Sequence, residues 1–309
     1  MTCAHVRDSS NRHVVYTHVA THLNKTIMQK NKILIITFLI LITNINKSIG
    51  QELIIDPMHR IEVLIQMENY NSAIEFTEKL DDSLKCAKNE ILGLSYGNLG
   101  KHELAVKYYE NYVKDCNPSS IQRINLGDNY FKTSQFNKAK EQFLKVDSGD
   151  VNYSLAQYNI GIIEYESGNK ENAVEYFTSA INKMKGETLD FNYVNMQIKT
   201  LNELKDFNTA LKNIETILEI WNKNSIEYKY TLIIKSSIFG AKGEYKTAIK
   251  MLDNIVESGI DNEIVLLEAY SYKLIFYSKM NKKKKACDIY KKIENINPES
   301  GILKEYKCE

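Results

Sequence analysis

Apolar residues fall at helical spacing along most of the chain. Leu104, Ala105, Tyr108, Tyr109 and Tyr112 make an i, i+1, i+4, i+5, i+8 face, and Ile91 to Tyr96 makes an earlier one. Between them lies Gly97-Asn98-Leu99-Gly100, where Gly100 suits the left-handed residue that closes a helix. The pattern therefore predicts two helices and a tight turn. Asn117-Pro118 ends the second helix, because the residue before proline avoids the helical region.

The unit repeats. Gly93, Gly127 and Gly161 stand 34 residues apart; Ala105, Ala139 and Ala173 follow twelve residues behind them. Tyr109, Phe143 and Phe177 come four residues after each alanine. Self-similarity at this period marks stacked supersecondary units. Glycine and alanine are small where two helices must approach closely, and the rings fill the space beside the contact.

At these residues the chain resembles the tetratricopeptide repeat family, a 34-residue helix–turn–helix. The likeness continues upstream through Ile61, Leu64, Ala73 and Leu80, with Ala73 32 residues before Ala105. Downstream it runs through Ala210, 37 residues beyond Ala173, then Ala248 and Ala286 at steps of 38. In these last three copies Ile198, Ser236 and Leu274 stand where the first-helix glycine would be. The resemblance covers roughly Ile54 to Pro298, seven units. It implies an all-α, right-handed superhelical solenoid of antiparallel hairpins. Three prolines and thirteen glycines in 309 residues agree with an all-helical chain.

Two regions follow, 1–50 and a solenoid of 51–309 with a short C-terminal cap. Ile33 to Ile42 is an apolar run preceded by Lys25, Lys30 and Lys32 and followed by Ser48-Ile49-Gly50. A basic flank, a short apolar core and small residues are the parts of a secretory signal, with cleavage expected after Gly50. Ten residues fall short of the roughly 17–25 that span a bilayer. An uncleaved anchor is the alternative. Met28 is a better start for such a signal than Met1, since 1–27 carries four histidines and no periodicity.

Cleavage leaves Cys86, Cys116, Cys287 and Cys308. Cys86 and Cys116 mark the two ends of one antiparallel hairpin, which lie side by side, so a disulfide is geometrically reasonable. Cys308 pairs with Cys287 if Ser300–Lys307 forms a capping helix running back along the last hairpin. Four free thiols are the other reading.

A net charge of +1 provides no field for nucleic acid. Only His59 and His102 remain after residue 50, without ligand spacing; Cys-x-x-Cys, His-Glu-x-x-His and phosphate-loop motifs are lacking. No catalytic residue, metal or cofactor is assigned. An enzyme whose site forms between repeats is the weakest of three hypotheses. Lys282-Lys283-Lys284-Lys285 reads as a solvated turn, with a docking patch for an anionic partner as the sharper alternative.

The resemblance also implies a concave groove lined by first helices. It places Ile121, Ile124, Phe131, Leu155, Tyr158, Ile162 and Tyr165 there, followed by the polar Asn192, Asn195, Lys199 and Asn202. Such a face suits a peptide or helix with one hydrophobic end. Residues that clamp a C-terminal carboxylate in some relatives are not evident. The sequence thus points to an exported, periplasmic or secreted, non-catalytic scaffold for a protein or peptide partner. The alternative is a membrane-anchored docking or sensory arm of a larger assembly.

Overall fold

A computed structural model describes residues 56–184, 189–259, 262–306 and 308. Among them are fourteen α-helices and no strand. The export segment, Met28 and the cleavage point lie outside the described residues. The chain falls into two compact units, the first ending at Gln142 and the second beginning at Phe143.

The first unit contains α1 (Pro57–Gln66), α2 (Tyr70–Glu78), α3 (Lys85–Asn98), α4 (His102–Asp115), α5 (Ser120–Lys132) and most of α6 (Phe136–Leu144). The second contains α7 (Tyr153–Glu166), α8 (Lys170–Lys183), α9 (Phe191–Glu203) and α10 (Phe207–Ile220). It continues with α11 (Ile226–Ala241), α12 (Tyr245–Glu257), α13 (Glu263–Lys279) and α14 (Lys283–Ile296). Paired in order, these are seven hairpins.

All seven turn in the same way. A single left-handed residue sits in each turn: Glu68, Gly100, Ser134, Gly168, Lys205, Gly243 and Asn281. The following amide donates to the carbonyl five residues before it, as in Lys101 to Tyr96 and Asp206 to Leu201. This Schellman-type closure satisfies carbonyls that the helix end would otherwise leave open. Five residues beyond each left-handed residue stands the buried alanine of the repeat, from Ala73 to Ala286. The junction is therefore constant while the repeat length drifts from 32 to 38 residues.

Only three of the seven left-handed residues are glycine. An L side chain costs roughly 1–2 kcal/mol in that conformation. Lys205→Gly should therefore raise stability by about 1 kcal/mol, and Gly168→Ala, where φ is +85°, should lower it by a similar amount. Paired denaturation curves of the two variants check this; no gain from Lys205→Gly would contradict it.

The cores follow the repeat. In the first unit Ile61, Ala73, Leu80 and Ile91 close the first hairpin. Gly93 on α3 receives the ring of Tyr109 from α4, so that a Cβ there would lie 2.9 Å from the ring. In the second unit Gly161 on α7 receives Phe177 from α8 in the same manner, at 2.5 Å. Ile198, Ser236 and Leu274, at the glycine register of the later copies, are each no more than 1% exposed. There the close approach moves one turn along, to Gly240 on α11, and its partner is Phe276 of the next first helix, α13. Leu303 and Tyr306, around a 3-10 turn at Gly301–Lys304, cover the end of the last hairpin. The C-terminal cap is thus one short turn, not a helix along Ser300–Lys307.

Candidate functional site

In the first unit, α5 begins with a capping box in which Ser119 and Gln122 satisfy each other's backbone amides. That fixes Gln122, whose Nε2 donates to Glu90 Oε1 of α3 at 2.6 Å. Further along, His102 Nδ1 and Asn129 Oδ1 lie 2.9 Å apart, and the Tyr130 hydroxyl donates to Glu110 at 2.5 Å. Ile121 is exposed at the start of α5, Ile124 is 1% exposed and belongs to the core, and Phe131 lies half-buried against Phe136.

Asp128 shares this face of α5. Burial pushes its carboxyl up to about 6, against a smaller opposing pull from Lys132. The unfolded chain loses this proton near the ordinary carboxylate value, so the folded state holds more protons between about 4 and 6. Stability therefore falls as pH rises through that window and is flat above it. Asp128→Asn removes the loss. It should stabilise the unit by roughly 1–2 kcal/mol at neutral pH and leave stability near pH 4 unchanged. Urea denaturation at both pH values reads this; equal gains at both would mean that the proton is not the cause.

In the second unit Leu155, Tyr158, Ile162 and Tyr165 lie along α7, all partly buried. Tyr158 stacks on Tyr193 of α9, with centroids 4.1 Å apart, and also touches Phe177. Ile162 and Tyr165 pack on the Ala173, Phe177 and Met196 cluster. The Tyr165 hydroxyl donates to Glu203 Oε1 at 2.7 Å, and Lys199 sits 4.8 Å over its ring. Lys170 pairs with the other Glu203 oxygen at 2.8 Å. Burial alone would raise the Glu203 carboxyl, but hydrogen bonds from Lys170 and Tyr165 outweigh it and hold the group below the usual range.

Fewer of these positions are open within each unit than the residue pattern implies. Of the seven apolar positions, Ile121 alone is exposed; Tyr158 is held between Tyr193 and Phe177. Sequence reasoning also missed the cluster in which Phe191 meets Trp221 and Tyr230, each with centroids 5.7 Å away. Phe191 opens α9, Trp221 follows α10 and Tyr230 lies in the second turn of α11, so the three share no periodic signal.

The four cysteines form two adjacent pairs. Cys86 and Cys116 have Cα atoms 5.9 Å apart at the open end of the α3–α4 hairpin; Cys287 and Cys308 are separated by 5.3 Å. Both lie within the span a disulfide needs. Among the described residues no group of three His, Cys, Asp or Glu is placed to hold a metal ion. No described helix is long and apolar enough to cross a membrane. His59 faces Glu62 and His102 faces Asn129.

Comparison with known proteins agrees with this architecture. Residues 90–114 and 155–183 match tetratricopeptide repeat families. Comparison with curated protein sequences gives no significant match. Among solved structures, the C-terminal part of a repeat-containing protein of this kind from Cytophaga hutchinsonii is 20% identical with a TM-score of 0.63. The match covers 80% of this chain and 97% of that one. A tetratricopeptide repeat protein from Parabacteroides merdae is 12% identical with a TM-score of 0.55, covering 81% and 95%. The chain carries tetratricopeptide repeats and has an all-helical solenoid fold of that type, a fold suited to protein–protein interaction.

Proposed function

We propose that this chain is an exported, non-catalytic scaffold that binds a protein or peptide partner across the first helices of its repeats. The observation that carries the binding reading is the locking of the α7–α9 face. Tyr158 is stacked on Tyr193, and Tyr165 is held by Glu203 and Lys199 before any partner arrives. Side chains already fixed in place lose little freedom on binding, so their contact area converts more fully to affinity. Ile121 offers a separate exposed apolar contact on α5 of the first unit.

Export rests on different features. The basic, apolar and small-residue parts of 25–50 match a secretory signal, and all four later cysteines fall into two adjacent pairs. Such pairing suits an oxidising compartment. We read both pairs as disulfides of the processed protein.

Two experiments test the proposal. Intact mass from the native source should begin at Gln51, with four cysteines protected from alkylation until reduced. Retention of the apolar run would favour the membrane-anchored arm instead. For the face, a displayed peptide library selected on the purified chain should yield binders. Tyr165→Ala with Lys199→Glu, both placed at partly open positions, should abolish their binding without unfolding the protein. Binders indifferent to this pair would move the site elsewhere.

A further inference from the structure

The lysine run gains a meaning from its surroundings that its sequence lacks. Lys282 occupies the N-cap position of α14 without a capping hydrogen bond, and Lys285 lies in that helix's first turn. Lys246 and Lys250 come from α12, one hairpin earlier, at i and i+4 on one helix face. These four side chains line a single open cleft of about 300 Å³, with Tyr277, Met280 and Ile249 among the other lining residues. One carboxylate borders it, Asp253, and that group is already ion-paired with the buried Lys273. Among the described residues none of the four lining lysines has an acidic partner, while Lys285 lies 5.6 Å over the Tyr277 ring.

Apart from the Lys285–Tyr277 contact, this arrangement works against folding. Like charges at helical i, i+4 spacing repel. Lysines in the first turn of α14 oppose the positive end of the helix dipole, and no side chain caps that terminus. Each of these costs is relieved by an anion seated between α12 and α14. A shared need for negative charge across two hairpins is the observation on which the inference stands.

We propose that this cleft docks an acidic peptide segment, with carboxylates meeting the four lysines and an apolar side chain resting on Tyr277 and Met280. The cleft form, with Tyr277 and Met280 between the lysines, favours a peptide over a membrane surface. A flat sheet of lipid headgroups would meet the lysine tips and leave Tyr277 and Met280 untouched. The lysines belong to second helices and the turn before α14, and Tyr277 and Met280 to the end of α13, so no lining residue is shared with the face described above and either can fail without the other.

The test is titration of a dye-labelled peptide of glutamates around one leucine, followed by fluorescence anisotropy on the full chain. Binding should weaken as salt is raised. The triple variant Lys250→Glu, Lys282→Glu, Lys285→Glu should lose about tenfold or more in affinity. Its melting temperature should be unchanged or higher, because glutamate suits a helix N-terminus where lysine does not. As a control of equal charge change, Lys107→Glu with Lys114→Glu and Lys132→Glu in the first unit should leave the affinity unaltered. Absence of peptide binding, or an equal loss in the control, overturns the proposal. So does lysine-dependent sedimentation with phosphatidylglycerol vesicles in the absence of peptide binding, which would assign the cleft to a membrane surface.

Discussion

Gly161→Ala destabilises the second unit by about 1–3 kcal/mol, although alanine is the better helix former. In an open helix the exchange would gain about 1 kcal/mol. At Gly161 the added methyl would lie 2.5 Å from Cε1 and 2.6 Å from Cδ1 of Phe177, a ring with no exposure of its own. Neither side can give, because the ring is also packed on Tyr158 and Met196. Gly97 provides the contrast. A methyl there meets the Asn129 amide at 3.2 Å and Ala105 at 3.7 Å, distances that a small shift relieves. Gly97→Ala should be neutral or stabilising. Denaturation curves with hydrogen exchange in α7 and α8 report the difference, and Phe177→Leu in the Gly161→Ala background should recover part of the loss. If Gly161→Ala is as stable as the parent, the close contact does not set the spacing of these helices.

With both proposed bridges formed, losing them should have an effect of similar size. A closed loop between residues separated by 30 positions, or by 21, stabilises by about 3–4 kcal/mol in the chain-entropy account. Reduction should therefore lower stability at both places, with different local signatures. Cys86→Ser with Cys116→Ser releases the open end of α3–α4, so exchange quickens there. Cys287→Ser with Cys308→Ser frees the cap, and Leu303 and Tyr306 leave the cluster around Tyr270, Leu274 and Ile293. That variant should bind a hydrophobic dye where the first does not. A melting curve indifferent to reductant, with thiols that alkylate in the folded protein, would mean that the pairs are adjacent but unbonded.

What the sequence made legible was governed by steric necessity. The alanine series, with its drift from 32 to 38 residues, marks all seven hairpins because nothing larger fits five residues past the left-handed turn. The turns themselves were harder to read. Glu68, Ser134, Lys205 and Asn281 occupy a conformation that only glycine announces. Gly240 was missed for a related reason. Its contact is with Phe276 on the next first helix, whereas the register of Gly93 and Gly161 looks to the second helix of the same hairpin. The proposed binding face was legible only in part. Periodicity tells which side of α7 is apolar, but how much of Tyr158 or Ile162 stays open depends on how near α9 approaches. That distance is set by Tyr193 and Met196, which lie outside the three clear copies.

The proposed cysteine bridges would also set how far the chain can be drawn out. Pulled from its ends, a hairpin of 34–38 residues lengthens by about 12 nm when it gives way. With Cys86 joined to Cys116, the 30 positions between them stay looped and about 10 nm vanishes from that event. With Cys287 joined to Cys308, another 21 positions, about 7 nm, are withheld near the C-terminus. Under load the oxidised protein is then a tether with two fixed stops, and reductant lets out the hidden length.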